Sequence, residues 1–371
     1  MRVAIDTRKL HDFGIGTYIR NLLRHLARLD RQSDYIAVCR PEDADSIRAL
    51  GPNFRPVPDR SAPYSVREQW SLPLTVSREK PDVFHAPHYV LPTLMPGPTM
   101  VTIHDCIHLM FPEYLPCRMA KVYARAAMYS ATRRASRILT VSESSKRDIL
   151  RFFPVDPGKI TVIYNAIDER FRIQPAEDAT ARVRERYQLA DPFVLYVGNV
   201  KPHKNVERLI EAFALVLRRW PGKLTLLIIG EAISSFPTLR RAVHRHQLHG
   251  RVRFLGFVPE DTLSVLYRLA GVFVFPSLYE GFGLPALEAM ACGTPVIASN
   301  VSSLPEVLDG AALLVDPHSA LAIADAIVRV LSDPAIAAEL RAKGLARAEQ
   351  FSWPRSVART LEIYREVANE R

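Results

Sequence analysis

No stretch of the 371 residues stays apolar for the roughly 20 residues that a helix needs to cross a bilayer. The opening run Met1-Arg2-Val3-Ala4-Ile5-Asp6 reads as a strand rather than a secretion signal, so the expected site of action is the cytoplasm. Cysteine is scarce: Cys39, Cys106, Cys117 and Cys292 show no paired spacing, which argues against a disulfide framework and against a CxxC metal site. Cys292, at the end of an apolar helical stretch, reads as a small core residue. No repeat of 20 to 50 residues is present, which excludes a solenoid or propeller. The basic residues lack the interleaved aromatic platforms of single-strand binders, so nucleic acid is not an expected partner.

What is present is the composition of an ordinary enzyme, 48% apolar and 24% charged, in a chain long enough for two cores. The net charge is +10, and about seven of those excess charges fall before residue 171. An acidic membrane surface or a pyrophosphate-linked lipid would answer to that asymmetry.

Chemistry is written most densely in residues 275–295, FPSLYEGFGLPALEAMACGTP. Val272-Phe273-Val274-Phe275 is a buried strand in character, and it ends at Pro276-Ser277. A loop then carries Glu280, Gly281, Phe282 and Gly283, and Pro285 stands where a helix takes its first residues. Glu280 is therefore on the loop at the strand's carboxyl end, and Glu288 lies in or just past the first helical turn. Gly281 and Gly283 let a ligand approach the backbone, and the helix start directs N–H groups at it from Gly281 through Leu284. Such a site suits an anionic ligand rich in hydroxyls, with phosphate on the N–H groups and sugar on the carboxylates.

The pair of glutamates seven residues apart, framed by E-G-F-G-L-P and A-C-G-T-P-V-I, resembles the signature of the retaining glycosyltransferases of family 4. The resemblance implies an α/β fold of GT-B type, two doubly wound Rossmann-like domains facing a central cleft. It implies that Glu280 contacts the donor sugar and Glu288 the nucleotide ribose, with no cofactor and no metal in the chemistry. The domains expected on this basis are residues 1–170 on the acceptor side, 171–350 for the nucleotide sugar, and a terminal helix, 351–371, that crosses back to the first domain.

In the first half, an apolar strand over residues 2–6 precedes a glycine loop with Gly14 and Gly16, and a helix is expected from about Thr17 to Leu29. Strand, glycine loop and helix make the phosphate-binding arrangement of a doubly wound half, although the third glycine and the acidic residue of a dinucleotide fingerprint are missing. Residues 51–73, rich in proline, read mostly as connection. Thr99–Ile103 reads as a strand delivering His104 at its carboxyl end, and T-I-H-D resembles the family's histidine near the donor sugar. His85, His88, His104 and His108 also admit a zinc reading if their segments meet. From Arg118 to Arg151 basic residues crowd a mainly helical stretch, either as a solvated face or as a surface for anionic lipid.

In the second half, Phe193–Val197 is a strand followed by Gly198-Asn199 and by Lys204 at a helix start, where a lysine reaches phosphate as a point charge. Family members commonly have arginine where this chain has Asn199. Residues Val252–Val258 read as a strand whose end, at Val258, resembles the family's nucleobase edge. The expected catalytic group is thus His104, Lys204 and Glu280. Donor binding is expected from Gly14, Gly16, Gly198, Asn199, Val258, Gly281, Phe282, Gly283, Leu284 and Glu288. The expected activity is hexosyl transfer with retention, the donor GDP-mannose or another nucleotide diphosphate sugar, and the acceptor a glycan or lipid-linked glycan, with an anionic membrane as a further partner. The details around Asn199 and His104 resemble bacterial mannosyltransferases of polysaccharide assembly. A nucleotide-sugar epimerase on the same fold, and a basic nucleic-acid-binding protein, are the alternatives.

Overall fold

A computed structural model describes residues 1–65, 67–115, 117–189, 192–230 and 237–370. The chain divides into two compact units, Met1–Ala166 with Ser352–Arg371, and Ile167–Phe351.

Unit 1 is built on a seven-stranded sheet: β1 (Arg2–Asp6), β2 (Asp34–Cys39), β3 (Phe54–Pro58), β4 (Val83–Ala86), β5 (Thr99–Ile103), β6 (Arg137–Thr140) and β7 (Ile160–Val162). Their order is β3-β2-β1-β4-β5-β6-β7, and every pairing is parallel. Short apolar strands such as Val3-Ala4-Ile5 and Val83-Phe84 are buried throughout, as a sheet covered on both faces by helices requires. The order reverses between β1 and β4, so the crevice for a ligand opens at the carboxyl ends of these two strands.

Two sequence expectations need correction here. The helix expected from Thr17 begins at Phe13 and runs to Leu29, so Gly14 and Gly16 lie inside its first turns rather than in a loop. The Gly16 N–H donates to the Asp12 carbonyl and closes the first turn. The stretch read as connection contains β3 and the start of a helix, Glu68–Glu79. Two of the five β3 residues are proline, which is tolerable because β3 is an edge strand and one side needs no donors.

The terminal helix Trp353–Asn369 belongs to unit 1, where it packs against the helix Phe13–Leu29. Its buried residues Trp353, Val357, Thr360, Leu361, Tyr364 and Val367 recur at helical spacing. Tyr364 Oη and His85 Nδ1 lie 2.6 Å apart at the end of β4, which pins the helix by a buried hydrogen bond.

Unit 2 holds β8 (Phe193–Val197), β9 (Thr225–Ile229), β10 (Val252–Gly256), β11 (Val272–Phe275), β12 (Val296–Ser299) and β13 (Leu313–Val315). The order β10-β9-β8-β11-β12-β13 is again parallel, with the reversal between β8 and β11. β10 ends at Gly256, two residues before the expected end, because the register shifts between Phe254 and Gly256 and Gly256 turns to φ +68°. Among the described residues no helix is long and apolar enough to cross a membrane.

Candidate active site

At the β8/β11 reversal the loops leaving the two strands are stitched together. Asn205 adopts φ 60°, a left-handed conformation that asparagine tolerates, and its Nδ2 donates to the carbonyls of Pro276 at 3.0 Å and Pro317 at 2.8 Å. The Leu278 N–H donates to the His203 carbonyl at 2.7 Å. Lys204, between these two ties, donates from Nζ to Glu280 Oε1 at 2.6 Å, and Nζ also stands 5.5 Å from the centre of the Phe275 ring. Both side chains are mostly buried, so the pair is little screened by water.

The Glu280 loop is held from β12's exit. Its N–H donates to Ser302 Oγ at 2.9 Å, and Ser303 Oγ–H is shared between the Glu280 carbonyl at 2.9 Å and the Phe282 carbonyl at 3.1 Å. Gly283 is the N-cap of the helix Leu284–Ala291 at φ 101°, and a Cβ there would lie 2.7 Å from Leu304 Cδ2. Pro285 follows in the first turn, which contains no acidic residue. The helix therefore starts beside Glu280 with its N–H ends and positive partial charge available to an anion. Gly281 and Phe282 are buried, and Phe282 packs edge-on against Phe351 at 5.6 Å.

Glu288 is the fifth residue of that helix, and its Oε2 accepts from Tyr267 Oη at 3.1 Å. Burial pushes the Glu288 carboxyl up from 4.5 to about 7, against the lowering influence of the Tyr267 hydrogen bond. Nearby Glu260 and Asp168 raise it further. The carboxyl is thus poised to change charge near neutrality.

Gly198 leaves β8 at φ +153°, and the Tyr196 hydroxyl stands 3.0 Å from where its Cβ would be. Gly230, at the exit of β9, is pressed so closely on the Gly198 carbonyl that a Cβ would lie 2.0 Å from that oxygen. The half-buried Asn199 follows Gly198. Val258 is buried just beyond β10, three strand spacings or about 14 Å from β11. The structure therefore brings Lys204, Glu280, Gly283 and Leu284 together, and sets Val258 at the far side of the same sheet.

In unit 1, His104 leaves β5 as expected. Its Nε2 lies 3.1 Å from the Pro87 carbonyl, which can only accept, so Nε2 carries the proton. Burial lowers the His104 pKa, with the Pro87 carbonyl and Asp105 opposing, and the ring is neutral with Nδ1 an acceptor. Tyr18 holds the ring edge-on at 4.9 Å. Gly14 is exposed with open space around it, whereas a Cβ on Gly16 would lie 2.5 Å from the Leu10 carbonyl oxygen. Close helix-to-loop packing accounts for Gly16.

Among the described residues no three of the four histidines bring their ring nitrogens within reach of one ion. His85 is committed through both ring nitrogens, Nδ1 to Tyr364 and Nε2 to Thr102 Oγ1 at 2.8 Å, and burial pushes its pKa down to about 3. His88 donates from Nε2 to Asp6 Oδ2 at 3.2 Å and accepts at Nδ1 from the Val90 N–H at 3.1 Å. Asp6, Glu68 and His88 do place ligand atoms within 4.8 Å of one another, but a guanidinium already serves the two acids. Arg8 donates from Nη2 to Asp6 at 2.6 Å and to Glu68 at 2.6 Å. Burial alone would raise the Asp6 carboxyl, yet Arg8 and His88 hold it well below the usual range.

Sequence reasoning missed Ser302, Ser303, Asn205 and Tyr267, which position the glutamates. The hydrogen bonds of Ser302 and Ser303 reach a loop some twenty residues away and leave no local signature in the sequence. It also missed the Asp6–Arg8–Glu68 cluster, because Glu68 lies sixty residues along the chain from Arg8.

Residues 178–348 match the family described as glycosyl transferases group 1, and residues 14–171 match glycosyltransferase family 4. The O-antigen chain mannosyltransferase B of Escherichia coli is 36% identical over 302 residues, covering 81% of this chain and 77% of that protein. Among solved structures, sucrose-phosphate synthase from Thermosynechococcus elongatus superposes with a TM-score of 0.81 at 25% identity, covering 100% of each chain. HepE of Anabaena, in complex with UDP and glucose, superposes with a TM-score of 0.80 at 19% identity, covering 99% of this chain and 100% of that one. The two parallel-sheet units have the GT-B fold. With glutamates 280 and 288 on either side of one helix start and a relative of this similarity over most of both chains, the protein belongs to glycosyltransferase family 4.

Proposed function

We propose that this glycosyltransferase moves mannose from GDP-mannose to a glycan or lipid-linked glycan, with retention at the anomeric carbon and without a metal ion. A nucleotide-sugar donor and a glycan acceptor follow from the family; the mannosyl identity is supported by the O-antigen mannosyltransferase similarity. The observation that carries the reading is the Lys204–Glu280 pair at the β8/β11 reversal, beside the start of the helix Leu284–Ala291.

Breaking the glycosidic bond of the donor builds negative charge on the leaving diphosphate, and fixed positive groups aimed at it are the largest source of rate. Lys204 and the N–H groups at Gly283 and Leu284 fill that role. Glu280, aligned by Lys204 and anchored by Ser302 and Ser303, accepts from donor sugar hydroxyls. Glu288 accepts from the ribose, and the separation to Val258 suits a base held at the other end of the nucleotide. His104 offers Nδ1 to an outer sugar hydroxyl. Gly198 and Asn199 line the diphosphate side, and Asn199 leaves Lys204 as the main fixed charge of this loop. In this reading the enzyme works at the cytoplasmic face of a membrane, where a lipid-linked acceptor is presented.

Incubation with GDP-mannose, UDP-glucose and UDP-galactose, followed by assay of free nucleoside diphosphate and of the product anomer, tests the proposal. Release from GDP-mannose, an α-linked product and persistence in EDTA are expected. Preference for a UDP-sugar overturns the donor, an inverted product overturns retention, and loss of activity restored by manganese overturns metal independence. A changed donor sugar with no transfer would favour the epimerase alternative, which finds no support in the family matches.

A further inference from the structure

The helix Arg118–Arg134 has 17 residues, five of them basic and none acidic. Its inner face is the buried set Ala124, Met128, Ala131 and Thr132. The outer face is not the polar surface such a helix ordinarily shows. Met119 is 75% exposed, Val122 64% and Tyr129 47%, and Ala126 is exposed with them. At about 100° per residue these four fall within an arc of about 80°. Arg133 lies inside that arc, and Arg118 and Arg125 lie within about 40° of its edge.

The arginines of this face are exposed and make no ion pair among the described residues. Other basic residues nearby are spoken for: Arg137 pairs with Glu370, Lys146 donates to the Ile160 carbonyl at 3.0 Å, and Lys159 Nζ caps the helix through the carbonyls of Thr132 and Arg133. Arg137, in β6, is thus removed from the surface that its place in the basic run suggested.

The apolar exposure is local to this region. Of the 15 large hydrophobic side chains exposed among the described residues, nine fall between residues 64 and 129. Tyr123 meets the half-exposed Tyr64 edge-on at 6.4 Å, and Trp70 and Leu74, both 61% exposed, stand one turn apart on the following helix. A second basic stretch, residues 237–253 in unit 2, also has no acidic residue, but Leu239, Ala242, Val243, Leu248 and Val252 there are all buried. That surface offers charge alone. The Arg118–Arg134 face offers charge with an apolar stripe, the combination that lies in a membrane interface.

We propose that the outer face of Arg118–Arg134 docks on an anionic phospholipid bilayer, with headgroup phosphates on Arg118, Arg125 and Arg133 and with Met119, Val122 and Tyr129 among the upper acyl carbons. The amino-terminal half of this helix lies at the ligand end of the unit 1 sheet. Tyr123 packs on Tyr64, whose hydroxyl lies 2.9 Å from Lys9 Nζ, three residues past the carboxyl end of β1. Docking there holds a lipid-linked acceptor at that end; this purpose rests on the transferase reading, whereas docking itself does not.

The test is sedimentation of the full chain, without donor, with phosphatidylcholine vesicles lacking or containing phosphatidylglycerol. Wild type is expected to bind the anionic vesicles only. Arg118→Glu/Arg125→Glu/Arg133→Glu should weaken binding about 100-fold or more, at about fivefold per lost basic residue. Met119→Ser/Val122→Ser/Tyr129→Ser should weaken it about tenfold or more. Arg240→Glu/Arg241→Glu/Arg245→Glu, a matched charge change in unit 2, should bind like wild type, and all variants should release nucleotide from soluble donor as wild type does. The proposal fails if wild type does not bind, if the control variant loses binding equally, or if the serine variant binds normally while duplex DNA displaces the vesicles, which would make the face a polyanion surface.

Discussion

Lys204 Nζ and Glu280 Oε1, 76 residues apart in the chain, meet at 2.6 Å where β8 and β11 leave the sheet in opposite directions of winding. The pair makes each residue the other's positioning device before any ligand arrives. A donor diphosphate adds a second anion for Lys204, and Glu280 turns its remaining acceptor capacity to sugar hydroxyls.

Removal of either member should therefore cost more than one contact. Lys204→Ala and Glu280→Ala are each expected to lower kcat/KM about 100-fold or more, the scale of two to three kcal/mol for a fixed group facing developing charge. Because each also releases its partner, the double variant should fall short of the product of the single losses. Steady-state kinetics on folded protein decides it, and near-normal turnover in both single variants removes the site assignment.

Glu288 gives a pH dependence of definite sign. Its carboxyl holds the proton up to about pH 7 in the folded chain against 4.5 ordinarily, so the folded state binds more protons than the unfolded state between these values. Stability should consequently fall as pH rises from about 4.5 through 7 and level off above, by at most about 3 kcal/mol. Donor affinity should move the other way, since an ionised carboxylate is the stronger acceptor for ribose hydroxyls. Glu288→Gln should flatten both profiles, as read by denaturant melts and donor KM between pH 6 and 8. Profiles unchanged by the substitution would show that another group titrates.

The outline of this site was legible in the sequence because its chemistry is local. Glu280, Gly283, Pro285 and Glu288 sit within nine residues, and a strand, a turn and a proline-led helix start fix their order in space. The doubly wound pattern was legible for the same reason, from apolar strands alternating with helices. β3 was not, since Pro56 and Pro58 mark an edge strand with the same letters as a loop. Nor could the tie from Ser302 and Ser303 to the Glu280 loop be read, because it depends on β11 and β12 lying side by side. The basic run looked uniform in the sequence, and only burial and pairing separate Arg137 and Lys146 from Arg125 and Arg133.

Two glycines should prove structural for different reasons. A Cβ on Gly16 meets backbone at 2.5 Å, which cannot yield without moving the Leu10 segment, whereas at Gly283 it meets a leucine methyl at 2.7 Å and a φ of 101°. Gly16→Ala is expected to lower stability by about 2 kcal/mol or more with kcat retained by the folded fraction. Gly283→Ala should lose about 1 to 2 kcal/mol and, because it strains the loop carrying Glu280, lower kcat as well. Thermal melts beside kinetics separate the two, and equal kcat in both variants would detach Gly283 from the site.

His104 allows the sharpest distinction, because its two nitrogens have different work. Nε2–H is used by the Pro87 carbonyl, and the neutral ring leaves Nδ1 to accept from a sugar hydroxyl. Asparagine can set an amide oxygen near the position of Nδ1, while glutamine reaches toward Pro87 and leaves the Nδ1 position empty. His104→Asn should accordingly retain more activity than His104→Gln, by about tenfold, the worth of one hydrogen bond of about 1.4 kcal/mol. His104→Gln and His104→Ala should be alike in kcat. Since burial already keeps the imidazole neutral, none of the three substitutions should alter the pH profile above about 6.5, the ordinary histidine value. If glutamine rescues and asparagine does not, the Pro87 contact is what matters and His104 is a positioning residue for the β4 exit; if the profile shifts, the ring works as a proton carrier instead.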